Sequence, residues 1–218
     1  MERVEPTRDA PTAKTPETQK AETPKPEAPT EQPGDRIECL AMLRARGWEV
    51  EPARLTSGKS ECSVAEPVKV KRFRVRDHVV DFPDGPVLDC RFADRLGHWV
   101  ADLIIPVVAG GLGTDLRSVR TGPGFECRNR NHAASGKLSA HATGLAVDVA
   151  SFDLANGDNL LVTETNDDAK ARVLRTIRTG ACGWITTVLG PGTDAAHASH
   201  WHLDMIKHGS SEYYRICQ

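Results

Sequence analysis

The sequence predicts an α+β domain built on an antiparallel sheet flanked by helices. Strand-like runs with period-two alternation recur along the chain, as in "KVKRFRVR" at 69–76. Helix-like runs are interspersed with them and carry their own stop signals. Short turns rich in Gly, Pro, Asn and Asp join the strand-like runs, which favours hairpins over long crossovers.

The 218 residues divide into a tail, 1–35, and a folded region, 36–218. The tail has no Ile, Leu, Phe, Trp or Tyr and holds seven of the fourteen prolines. It cannot bury enough apolar surface to offset its ordering entropy, so a disordered, partly extended tether is expected. The remaining segment of about 180 residues is long enough for one well-buried core.

Taken in order, "IECLAMLRARGWEV" reads as a short amphipathic helix stopped by Gly47. Residues 62–89 read as short strands with turns at Pro67 and at "FPDGP". The main helix is expected from about 91 to 109, ending near Gly110 and Gly111. "TDLRSVRTG" predicts a strand entering a Gly-Pro-Gly turn, "GLAVDVASFDL" a second strand, and "NGDNLLVTE" a hairpin return. "NDDAKARVLRTIRTGAC" predicts a helix capped by Asn166 or Asp167, with Gly180 just past its end. "GWITTVLG" and "HWHLDMIK" both alternate as strands.

Charge gives no reason to expect nucleic acid. The tail has 5 basic and 8 acidic side chains, leaving 23 basic and 22 acidic in the folded region. The longest apolar run, "WVADLIIPVVAGGLG", is broken by Asp102, Pro106 and its glycines, so a core helix is expected rather than a transmembrane segment. Six cysteines, Cys39, Cys62, Cys90, Cys127, Cys182 and Cys217, form no Cys-x-x-Cys pair and spread over the whole folded region. That layout predicts three disulfides and an oxidising compartment, periplasmic or secreted. A local bridge between Cys39 and Cys62 is expected, with the other pairings left open. No apolar leader follows Met1, so the start shown is expected to be a processed, truncated or misassigned one.

Histidine placement carries the chemistry. His141 lies in "SAHATGLAVD", and His197, His200 and His202 lie in "HASHWHLD". On an extended strand His200, His202 and Asp204 share one face, with Trp201 and Leu203 packed behind. Asp148 sits within the apolar run "GLAVDVA", where a lone carboxylate would be costly without a cation. His141 precedes Gly144 and can fold back towards Asp148. A His-Asp-His set suits Zn²⁺, and three protein ligands leave a fourth position for water, whose pKa zinc lowers towards ~7.

The run Ser139 to Asp148, "S-x-H-x-x-G-x-A-x-D", followed by "H-x-H" at His200 and His202, resembles the signature of the LAS metallopeptidases. That group includes D-Ala-D-Ala carboxypeptidases and murein endopeptidases, and it implies a Hedgehog/DD-peptidase-like zinc fold. His197, completing "H-x-x-H-x-H", is similar to the bacterial DD-endopeptidase. The wider stretch from Cys39 to Cys217, with "ECR", "LSAHATGLAVDVASF", "VLGPGTDAAHASHWHLDM" and "RIC", resembles the extensin-like C-terminal domain family.

The resemblance implies that His141, Asp148 and His202 are the zinc ligands and that His200 polarises or orients the attacked group. Many relatives carry Glu or Asp as general base three residues before the last ligand. Ser199 stands there, and His197 is the candidate replacement. Arg128 is a candidate for a substrate carboxylate or the tetrahedral oxyanion, with Arg117 and Arg120 competing for that role. Ser139 and Asp204 support the ligands from behind, Asp204 by orienting a ligand imidazole.

The expected activity is zinc-dependent hydrolysis of peptide cross-links in peptidoglycan. Two other classes stand beside it: a zinc-containing but catalytically silent wall-binding module, which Ser199 favours, and a non-haem iron oxygenase. The last ranks below because its first two ligands usually lie closer than seven residues apart. His78, His98, His132 and His208 read as ordinary residues.

Overall fold

A computed structural model describes residues 33–55, 60–163, 165–211 and 213–218. The tail expected over 1–35 therefore lies outside the described residues, except for its last three, which open the first helix. Among the described residues ten strands form one sheet in the order β1-β2-β3-β5-β6-β9-β8-β10, with β4 also paired to β2 and β7 to β6. Its pairings are antiparallel except β3 with β5 and β8 with β10. The α+β expectation holds.

Helix α1 (Pro33–Ala45) ends ahead of Gly47, as expected, and strand β1 (Trp48–Pro52) follows it. Gly47 has φ +93°, and a Cβ there would lie 1.9 Å from the Arg74 carbonyl oxygen. Only glycine lets the chain turn so closely against its neighbour strand. Strand β2 (Pro67–Val75) buries Val68, Val70 and Phe73, and it pairs with β1, β3 (His78–Asp81) and β4 (Val87–Asp89). Pro67 is the first residue of the strand rather than a turn, a position where a missing N–H is tolerated.

Helix α2 (Cys90–Trp99) starts at Asp89, whose carboxylate accepts the Arg91 N–H at 3.0 Å. A π-helical turn, Val100–Ile104, leads into α3 (Ile105–Leu112). Pro106 lacks the N–H needed for a regular α-helical bond, and the wider turn lies immediately before it. The helical stretch ends at Leu112, next to Gly110 and Gly111, near which its end is expected. By length and composition Cys90–Leu112 could cross a membrane, yet Phe92, Leu96, Trp99, Val100, Ile104 and Val108 are all fully buried in the core.

Strand β5 (Leu116–Thr121) pairs with the long β6 (Ala146–Leu154), which turns back as β7 (Asn159–Leu161). Helix α4 (Asp168–Ala181) is capped by Asp167, which accepts the Ala169 and Lys170 N–H groups at 2.9 and 3.0 Å. Gly180, expected just past the end of α4, lies inside it, and the helix ends at Ala181. Strands β8 (Thr187–Leu189), β9 (Trp201–Asp204) and β10 (Ile216–Cys217) complete the sheet. Phe152 on β6 lies between Trp99 of α2 and Trp201 of β9, with ring centroids 6.3 and 5.8 Å away. These large rings fill the core between helices and sheet.

Three disulfides form, Cys39–Cys90, Cys62–Cys127 and Cys182–Cys217. The expected Cys39–Cys62 bridge is therefore wrong. Helix α1 packs on α2, which carries Cys39 to Cys90, while Cys62 reaches the loop after β5.

Candidate metal centre

The site forms where β6 and β9 pair. Their register sets Asp148 directly opposite His202. Val147, Val149, Trp201 and Leu203 face the core, so strand alternation turns Asp148, His202 and Asp204 to the other face. His141 comes from a 3₁₀ turn, Ala140–Thr143, and its backbone N–H donates to Ser139 Oγ at 3.4 Å. Gly144 closes that turn at φ +67°, and a Cβ there would lie 2.8 Å from Val64 and 2.9 Å from the Asp89 nitrogen. The glycine lets the turn seat against the start of α2 and hold His141 over Asp148.

His141 Nε2, Asp148 Oδ1 and His202 Nδ1 converge. Asp148 Oδ1 is 3.2 Å from His141 Nε2 and 3.0 Å from His202 Nδ1, and the two ring nitrogens are 3.2 Å apart. These three groups could hold a metal ion. Each ring is fixed from its far side. His141 Nδ1–H donates to the Gly124 carbonyl oxygen at 2.6 Å, and His202 Nε2–H donates to Asp204 Oδ2 at 3.1 Å. In the neutral rings the inner nitrogens then carry lone pairs, aimed at a carboxylate oxygen that is also an acceptor. Three acceptors pointed at one place require a cation there, a proton or a metal ion.

Titration follows from the same contacts. Burial opposes charge on His202, but hydrogen bonds and charge from Asp148 and Asp204 outweigh it and raise its pKa to about 9. Burial likewise opposes ionisation of Asp148, yet hydrogen bonds from His141 and His202 hold its carboxyl far below the ordinary range. His200 Nε2 lies 3.5 Å from Asp148 Oδ1, and burial, only partly offset by Asp148, lowers its pKa.

A cleft of about 200 Å³ is lined by Asp148 and His202 of the trio. His197 lines it from a 3₁₀ turn, Ala195–His197, its ring centroid 5.6 Å from those of both His200 and His202. Its Nδ1 lies 2.7 Å from Asp194 Oδ1. Burial works against charge on Asp194, but the hydrogen bond and charge of His197 and nearby backbone N–H groups keep its carboxyl below the usual range. Of the three competing arginines, Arg128 reaches the cleft, with Nη2 3.8 Å from Asp148 Oδ2 and Nε bound to Glu126 at 2.6 Å. Arg120 pairs with Asp84 at 3.0 Å, and Arg117 is exposed on β5.

His141, Asp148, His197, His200, His202, Asp204, Ser139 and Arg128 therefore lie together around the cleft, whereas Arg117 and Arg120 do not reach it. Some lining residues were missed. His208, read as ordinary, lies 2.6 Å from Thr187 Oγ1 on the cleft wall, and Arg130 and His132 line the cleft from the loop after Arg128. Only Arg130 carried a usable signal, its nearness to Arg128. Asp194 was also missed, although its Asp-x-x-His spacing to His197 suits a 3₁₀ turn.

Fold and site define an α+β sheet protein with a buried His-Asp-His cluster at the floor of a cleft. Residues 37–218 match the family model described as extensin-like protein C-terminus, and the chain belongs to that family. No curated protein and no solved structure matches it. The three disulfides accord with an extracytoplasmic protein.

Proposed function

We propose that this chain is a zinc-dependent peptidoglycan hydrolase of the bacterial periplasm or outer surface, cleaving peptide cross-links as DD-endopeptidases and carboxypeptidases do. The observation that carries the reading is the convergence of His141 Nε2, Asp148 Oδ1 and His202 Nδ1 with both rings tied from behind. Two imidazoles and one carboxylate suit Zn²⁺, and their spacing resembles the LAS-type signature, from which the chain departs at Ser199. Bound zinc supplies a Lewis acid and acidifies water. His197 would accept a proton from water as its oxygen bonds to the amide carbon, and would return that proton to the amide nitrogen when the tetrahedral centre collapses and the C–N bond breaks. Arg128 and His200 stand at the cleft to stabilise the anionic tetrahedral centre or to hold a substrate carboxylate.

The test uses the oxidised chain and its His202→Ala variant, with zinc measured after dialysis and hydrolysis followed on cross-linked muropeptides. About one zinc per wild-type chain, lost together with cleavage in the variant, supports the reading; cleavage by a metal-free variant rejects it. Ser199, which provides no carboxylate base, favours a second reading, a zinc-holding wall-binding module. Zinc uptake with pull-down on peptidoglycan sacculi but no cleavage would establish that one instead.

A further inference from the structure

We infer that Asp194 is a positioning residue that fixes the tautomer of His197, so that the ring presents an unprotonated Nε2 to the cleft. The inference rests on the hydrolase reading for its functional meaning, but its structural part stands on contacts of its own. Asp194 Oδ1 accepts twice from one residue, the backbone N–H of His197 at 3.1 Å and its ring Nδ1–H at 2.7 Å. The first bond caps the 3₁₀ turn Ala195–His197, and the second orients the ring that the turn carries. A 3₁₀ turn has three residues per turn, so positions i and i+3 eclipse, which brings Asp194 and His197 together in "DAAH".

A carboxylate at ordinary pH only accepts, so the nitrogen facing it bears the hydrogen. Nε2 makes none of the hydrogen bonds seen among the described residues, and His197 is buried at the cleft. An imidazole oriented in this way is the orienter–base arrangement of hydrolytic sites, in which the acidic partner selects the tautomer without taking the proton. It also gives Ser199 a physical account. The position three residues before His202 offers no carboxylate, and a carboxylate instead stands behind an imidazole on the same wall of the cleft.

The experiment compares the full zinc-loaded chain with Asp194→Ser and Asp194→Ala, reading His197 ring tautomers by long-range proton–nitrogen NMR at mildly alkaline pH. Serine still caps a helical turn, so the Ser variant keeps the turn while losing the ring acceptor. The expected result is an Nδ1–H tautomer at His197 in the wild type, with Nε2–H gaining in both variants while bound zinc stays unchanged. Turnover of cross-linked muropeptide should fall by on the order of 10²–10⁴-fold in kcat, with KM within about twofold. A wild-type ring protonated on Nε2, or Nδ1–H retained in the Ser variant, overturns the assignment. The tautomer reading does not need hydrolysis. A wild type that holds Nδ1–H yet cleaves nothing rejects the hydrolase and leaves Asp194 as the residue that orients His197.

Discussion

Removing the Cys62–Cys127 bridge, as Cys62→Ala with Cys127→Ala, tests the architecture that carries the cleft. The bridge closes a loop of 65 residues. Loop-closure entropy for that length corresponds to about 4 kcal/mol at 25 °C, within the ~2–5 kcal/mol that native disulfides typically contribute. A domain of this size loses roughly 2–4 °C of Tm per kcal/mol, so the double variant should melt roughly 8–16 °C lower. The dependence is logarithmic, so the bridges spanning 51 and 35 residues differ from it by about half a kcal/mol at most. Cys62–Cys127 stands apart by position. It pins the residue before Arg128 in the loop where the Glu126 N–H meets the His141 carbonyl oxygen at 3.2 Å. The assay is urea and thermal unfolding of oxidised wild type and variant, with non-reducing peptide mapping of the wild type. A loss under about 1 kcal/mol, or a map joining Cys39 to Cys62, would refute the reasoning.

Zinc at about 100 times its Kd should stabilise the chelator-stripped protein by about 2.7 kcal/mol, a rise of roughly 5–11 °C in Tm, while His202→Ala shows no rise. An equal rise in both proteins would place the metal elsewhere. Asp167→Ala should destabilise α4 in a pH-dependent way. Backbone N–H groups, that of Lys170 foremost, hold the folded-state carboxyl below its ordinary value. The stabilisation is therefore complete above pH ~4 and lost as pH falls through the folded pKa. The gap in urea midpoint between wild type and variant should narrow from pH ~7 to pH ~2.5, and a constant gap would count against the charged cap.

Legibility in the sequence followed the range of the physics. Alternation in "KVKRFRV", "AVDVASF" and "WHLD" is set by neighbours two apart, so these strands could be read directly. The Asp167 cap likewise acts within three residues. The clustering of His141, Asp148 and His202 was legible despite the 54-residue separation of Asp148 and His202, because each segment carries residue types that are costly to bury without a cation. Pairings decided by packing were not legible. Cys39 is 23 residues from Cys62 but bonds to Cys90, because α1 and α2 meet in space. His208 found Thr187 across 21 residues and offered no spacing to read. The π turn before Pro106 is a compromise within one helix and leaves no periodic trace.

Hydrogen-bond geometry supports the proposal of a metal ion rather than a proton as the cluster's cation. A proton on His202 Nδ1 has two acceptors, Asp148 Oδ1 at 3.0 Å and His141 Nε2 at 3.2 Å, and one N–H can align well with only one of them. His141 cannot turn to relieve the conflict, because its Nδ1–H is held by the Gly124 carbonyl oxygen and the side chain is 1% exposed. An unmatched buried acceptor costs roughly 1–3 kcal/mol. A divalent cation accepts lone pairs from all three groups at once, and the bonds behind the rings then cease to conflict and become the supports that hold each nitrogen on its target. On the proposed metal reading, the far-side bonds to Gly124 and Asp204 would belong to the same site and aim the ligand nitrogens.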